Sequence, residues 1–276
     1  MRRLAIILLP WLTTAALAGE PVDERIDAAP SGQVHIDVVR GRVQVLSWDQ
    51  NQVAVEGTRD GNSEAFEVRR DGDTIFIEDR LANIRLGGGG EGTRITVRVP
   101  RDSRLRVSVV SADLVVSNIA GAVRLQSVSG DIEAAGLGSD VDITTVSGDV
   151  EIEVNAVRLN VQTTSGTVLA DNAGALQRGR LNSVSGDVTL GTRFGAEADL
   201  ELETVSGDIS LALPDDADAR VDVVAGPGAD IRNRFNDQQP VRPRYGPGAR
   251  LEMTLGSGSG YVRLSSVSGT LALERG

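Results

Sequence analysis

Five letters, Ser127-Val128-Ser129-Gly130-Asp131, return in close copies at residues 145–149, 163–167, 183–187, 204–208 and 266–270. The third residues of the first five copies are Ser129, Ser147, Ser165, Ser185 and Ser206. The interval between them is nearly constant and lies at the short end of the solenoid range. Such units bury their apolar face only by stacking on copies of themselves. Ser111-Ala112-Asp113 continues the register upstream, and Val34 to Val45, with its turn at Gly41, matches the template at the apolar positions.

Between turns the apolar residues sit two apart, as in Val141 and Ile143, Val150 and Ile152, Leu200 and Leu202, Ile209 and Leu211. This is the period of a strand with one buried face, and the spacings of three and four that a helix needs are missing. Aromatic residues make up only 3% of the chain, so the core has to be aliphatic. The expected fold is all-β, a single-stranded parallel β-helix or β-solenoid with coils of roughly 18–21 residues. The alternative, an antiparallel β-sandwich, predicts hairpins and no letter-for-letter repetition. In the solenoid reading Gly130, Gly148, Gly166, Gly186, Gly207 and Gly269 supply φ > 0 at each corner, and the motif's Ser and Asp bond local backbone N–H groups. The motif's Val is expected in the core, and the row Ser127, Thr145, Thr163, Ser183, Thr204 and Ser266 on a solvated face.

Residues 1–18 read as a secretory signal, with Arg2 and Arg3 ahead of an apolar run and Ala16-Leu17-Ala18 as the cleavage site. The run is shorter than the ~20 residues that span a bilayer. The expected location is therefore periplasmic or extracellular, with no stable membrane span after cleavage. A lead-in at 19–29 follows, then an irregular β section at 30–100, then regular repeats at 101–276 with an inserted loop at 227–249. The glycine run from Gly87 to Gly92 lacks the Gly-Lys-Ser/Thr of a phosphate loop.

With no cysteine the chain can form neither disulfides nor a Cys-ligated zinc site, and with His35 its one histidine it has no His-rich site. A Ser-His-Asp triad would have to use His35, which alternates with Val34 and Ile36 on a solvent face. No cofactor is expected. The net charge is −11, and every one of the 28 basic residues is Arg. Nucleic acid is excluded as a partner unless a concentrated basic face exists. Asp131, Asp149, Asp187 and Asp208 fall near one edge of the stack as weak Ca²⁺ candidates, interrupted by Thr167. The loop from Pro227 to Gly248 gathers Arg232, Arg234, Phe235, Arg242, Arg244 and Tyr245. These residues suit either an anionic glycan, lipid headgroup or acidic protein segment, or an end cap with Arg paired to acids.

The recurring Val-Ser-Gly-Asp, with the Asp-Gly-Asp-x-Ile-x-Ile segment at Asp71 to Ile77, resembles the bacterial "putative adhesin" family of β-strand-repeat domains of unknown function, over roughly residues 30–274. The resemblance implies an adhesin-like, cell-envelope, β-solenoid protein and brings no catalytic residues. The expected function is an exported, non-enzymatic structural or binding module with an envelope protein or glycan as partner. The alternative is a β-helix carbohydrate-active enzyme, a polysaccharide lyase or hydrolase, which predicts a groove lined by clustered acids or Arg on one solenoid face.

Overall fold

The computed structural model describes residues 19–81, 91–244 and 246–276. The signal segment, Gly87 to Gly90 and Tyr245 lie outside them. All regular structure in the described residues is β. The N-terminal strands are β1 (Pro21–Asp27), β2 (Gln33–Trp48), β3 (Gln52–Thr58), β4 (Ser63–Asp71), β5 (Thr74–Leu81) and β6 (Thr93–Pro100). The middle ones are β7 (Arg104–Ser117), β8 (Val123–Ser129), β9 (Ile132–Leu137), β10 (Asp140–Ser147), β11 (Val150–Val154) and β12 (Arg158–Ser165). The last are β13 (Val168–Ser185), β14 (Val188–Ser206), β15 (Ile209–Leu213), β16 (Ala219–Asn233), β17 (Ala249–Leu255) and β18 (Gly260–Arg275).

Residues before and after each corner pair in two separate parallel ladders. In the first, the stretch ahead of the corner glycine runs through β2, β7, β8, β10, β12, β13, β14 and β18. In the second, the stretch after it runs through β2, β7, β9, β11, β13, β14, β15 and β18. Ser129, Ser147, Ser165, Ser185, Ser206 and Ser268 lie in register, so the motif stacks letter on letter. The fold is all-β and solenoid-like. Among the described residues, antiparallel strand pairing, the mark of the sandwich alternative, is confined to β1 with β3, β3 with β6, β4 with β5 and β16 with β17.

One aliphatic core runs between the ladders. Leu125, Ile143, Val161, Leu181, Leu202 and Leu264 form one row, each at most 1% exposed, and Ile132, Val150, Val168, Val188, Ile209 and Leu271 form another. Burial of each such side chain is worth about 1.5–3 kcal/mol, and in a stack every coil seals its neighbour.

The corner differs from the expectation in two letters. The row Ser127, Thr145, Thr163, Ser183, Thr204 and Ser266 is buried at 3–6% exposure, whereas Val128, Val146, Val184, Val205 and Val267 are 48–53% exposed. The cause is that strand alternation carries on into the turn. Val141 and Ile143 point inward, so Thr145 does too, and Val146 points out. A hydroxyl at the inner position can donate to a turn carbonyl, as Thr163 Oγ1 does to Ser165 O at 3.0 Å and Ser266 Oγ to Ser268 O at 2.9 Å, whereas Ser183 Oγ and Thr204 Oγ1 are buried without a partner among the described residues.

The corner glycines do adopt φ between +115° and +151°. The aspartates bond backbone N–H groups as expected, but those of the following coil rather than their own turn. Asp131 Oδ1 accepts from Asp149 N at 3.0 Å, Asp149 from Thr167 N at 2.8 Å, Asp187 from Asp208 N at 2.8 Å and Asp208 from Thr270 N at 2.7 Å. Thr167 has no carboxylate to offer Asp187 N. Thr167→Asp is therefore expected to restore the missing bond and add about 0.5–1 kcal/mol of stability in high salt, where repulsion between neighbouring carboxylates is screened. A thermal melt in ~1 M salt checks it, and an unchanged or lowered midpoint would count against this role for the aspartates.

The inserted loop begins later than expected. β16 continues through Asn233, with Gly228 to Asn233 paired to Ser268 to Leu273 of β18. Pro227 is accommodated because it falls at the register shift between Ala225 and Gly228, where the missing N–H breaks no ladder bond.

Candidate functional site

Most of the loop residues that the sequence marks are tied into the end of the stack. Arg232 lies in β16 opposite Ala272. Arg234 donates its backbone N–H to Leu273 O at 2.8 Å and pairs with Glu274 at 2.7 Å. Phe235, expected as a ligand contact, is 8% exposed and belongs to the core. Arg275 lies 5.6 Å from its ring centroid and donates to its carbonyl at 3.0 Å. Arg242 pairs with Asp230 at 3.0 Å, and Arg244 is exposed. Loop, ring and ion pairs together tie this segment to the end of β18 and to β16.

The aspartate row directs one carboxylate oxygen per corner at a backbone donor, as described above. Among the described residues no group of three or more His, Asp or Glu side chains is arranged to hold a metal ion. His35 packs edge-on against Phe76, with centroids 5.1 Å apart, and partial burial together with the positive charge of Arg106 lowers its pKa.

Sequence reasoning missed an open groove of about 600 Å³ on the outer face of the first ladder, crossing the strands from β2 to β13. Six arginines line it, Arg104, Arg106, Arg124, Arg158, Arg178 and Arg180, against two acids, Asp140 and Asp142. Strand alternation turns these residues outward while Leu105, Val107, Leu125, Leu159 and Leu181 turn inward. Parallel register then aligns them. Asp140, Arg158 and Arg178 follow one another across neighbouring strands, and Arg124, Asp142, Asn160 and Arg180 make a second row two residues further along. Asp140 takes a two-pronged contact from Arg158 at 2.6 Å, Asp142 pairs with Arg124 at 2.8 Å, and Arg180 reaches Glu201 at 3.7 Å. Arg104, Arg106 and Arg178 make no ion pair among the described residues. Asn182, also in the lining, carries a buried Oδ1 with no hydrogen-bond partner among them.

The groove carries the opposite sign to the chain as a whole. The outer face of the second ladder shows Glu133, Glu151 and Glu153, all exposed. The arginines escape notice in the sequence because they are separated by the coil length and never form a run. Listing the residues at −1 and +1 from the inward positions that stack in register, Leu105, Val123, Val141, Leu159 and Gly179, recovers them.

The Toastrack DUF4097 family model matches residues 33–274. No curated protein matches the chain. Several solved structures are similar to it. A "putative adhesin" from Bacteroides fragilis NCTC 9343 has 16% identity and a TM-score of 0.47, covering 92% of this chain and 97% of its own. A "putative lipid binding protein" from Parabacteroides distasonis ATCC 8503 has 10% identity and a TM-score of 0.40, covering 92% and 97%. A "putative cell adhesion protein" from Clostridium sporogenes ATCC 15579 has 8% identity and a TM-score of 0.32, covering 93% and 100%.

Proposed function

The chain belongs to the Toastrack DUF4097 family, and from that premise we propose that it is an exported, non-enzymatic, adhesin-like binding module of the bacterial cell envelope. In this reading the fold is a single-stranded parallel β-helix with coils of roughly 18–21 residues. The register of Ser129 on Ser147, Ser147 on Ser165 and Ser185 on Ser206, each one motif interval apart, supports it. The observation that carries the binding role is the arginine groove. It is open, it is built on ladder positions, and three of its six guanidinium groups, those of Arg104, Arg106 and Arg178, make no ion pair among the described residues. The loop at 234–248 serves as an end cap.

The groove also favours a second reading, since an Arg-lined face is what a polysaccharide-cleaving β-helix would present. Against it stands the engagement of both groove carboxylates by arginine, Asp140 through two bonds. Such contacts hold a carboxylate as an acceptor, whereas a general acid has to present a proton.

Retention of an envelope partner tests the binding role. The purified mature chain, incubated with a solubilised envelope fraction, is expected to hold a partner in a salt-sensitive manner. Failure to retain any envelope component would remove the basis for the reading.

A further inference from the structure

The groove is specific enough in its chemistry to name a ligand class, and this step rests on the binding reading above. We propose that it holds one chain of a linear acidic polysaccharide, with sugar carboxylates on the arginines and sugar hydroxyls on the amides and aspartates between them.

Geometry supplies the first argument. The lining residues belong to successive strands of one ladder, ~4.8 Å apart, so cationic positions recur in multiples of that distance across the strands. A ligand that runs across the ladder and carries regularly spaced anions can meet several of them, whereas a single small anion can meet only one or two. Arg104, Arg106 and Arg178 are spread from β7 to β13, so the unpaired positive charge extends along the groove.

Chemistry supplies the second. A planar guanidinium takes a carboxylate through two parallel hydrogen bonds. Between the arginines stand Asp140, Asp142 and Asn160, whose oxygens can accept further hydrogen bonds. A polyphosphate chain has no donor to give these groups. A glycan brings a hydroxyl for each. Single-stranded nucleic acid further requires aromatic stacking platforms, and no Phe, Tyr or Trp among the described residues lines the groove.

The test is titration of the mature protein with fluorescently labelled oligogalacturonate, in parallel with its methyl ester, polyphosphate and single-stranded DNA. The free acid is expected to bind, to weaken as salt rises from ~50 to ~200 mM, and to bind better than the other three. Arg106→Glu with Arg178→Glu should lower affinity by about tenfold or more for each arginine, while Arg232→Glu with Arg242→Glu leaves it unchanged. Should the Glu pair disturb folding, Arg106→Gln with Arg178→Gln gives the same comparison, since both side chains are exposed. Equal binding by the groove variants, equal binding of the ester, preference for polyphosphate or DNA, or no binding of the acid would each overturn the proposal. So would release of new reducing ends, which would turn the assignment to the enzyme. If the acid fails to bind while an envelope partner is still retained, the ligand class is wrong and the binding module stands. If neither is held, both fall.

Discussion

Gly148→Ala is expected to lower stability by about 2–5 kcal/mol, a sum of ~1–2 for a side chain at positive φ and ~1–3 for forcing atoms into a packed site. Gly148 has φ +130°, and a Cβ placed on it would lie 2.3 Å from the carbonyl oxygen of Gly130 in the preceding coil. Gly166 meets Gly148 in the same way at 2.2 Å, and Gly207 meets Gly186 at 2.2 Å. The obstacle is backbone, which cannot move without parting the ladder. Gly61, with open space around it and no positive φ, is the control. Gly61→Ala should leave stability unchanged or raise it slightly. Denaturant unfolding of the two variants decides the matter, and equal stabilities would contradict the stacked corner.

Arg40→Met is expected to cost about 3 kcal/mol or more, because it leaves the Asp60 carboxylate buried without its countercharge. Asp60 is 2% exposed and receives the Arg40 Nε bond. The same polar cluster includes Thr93, which donates its hydroxyl to the buried Asp79 and accepts the Asp60 N–H at 2.9 Å, and Ser63, which also donates to Asp79. It joins the strand ends of β3, β4, β5 and β6. The Arg40 bond holds the Asp60 carboxyl below its usual range. A lowered folded-state pKa means that the contribution is present above the ordinary carboxylate value and is lost as pH falls through the lowered one. Wild type should therefore lose this part of its stability on acidification, and Arg40→Met should show a smaller loss over the same window. Arg40→Met with Asp60→Asn should recover part of the deficit. A double variant no better than the single one would show that the countercharge is not what matters.

Periodicity made the ladders legible, since strand spacing and a constant interval define which residues stack. The corner is less legible, because hydrophobicity alone misplaces its letters. Val146 looks like core and Thr145 like surface, yet position in the alternation decides, and the small hydroxyl fits the inner side of a tight turn. The loop is legible as a departure from the repeat, but an aromatic residue in it suggests a contact for others, whereas Phe235 is buried in the protein's own core. The groove was hidden for a different reason. Arg106 and Arg124, like Arg158 and Arg178, are strangers in the sequence and become neighbours only through register.

The aspartate bonds from coil to coil all point the same way, each carboxylate holding the backbone of the coil that follows. Such a series has a reading direction and a stop. Thr270, in the corner of β18, receives the bond from Asp208 and has no carboxylate to pass on to β16, which pairs beyond it. Copy number then becomes a heritable dimension of the molecule. Whole coils inserted between two such hooks would lengthen the positively charged face in steps of one strand, with the new coil supplying equivalent contacts at the insertion and all others keeping their partners.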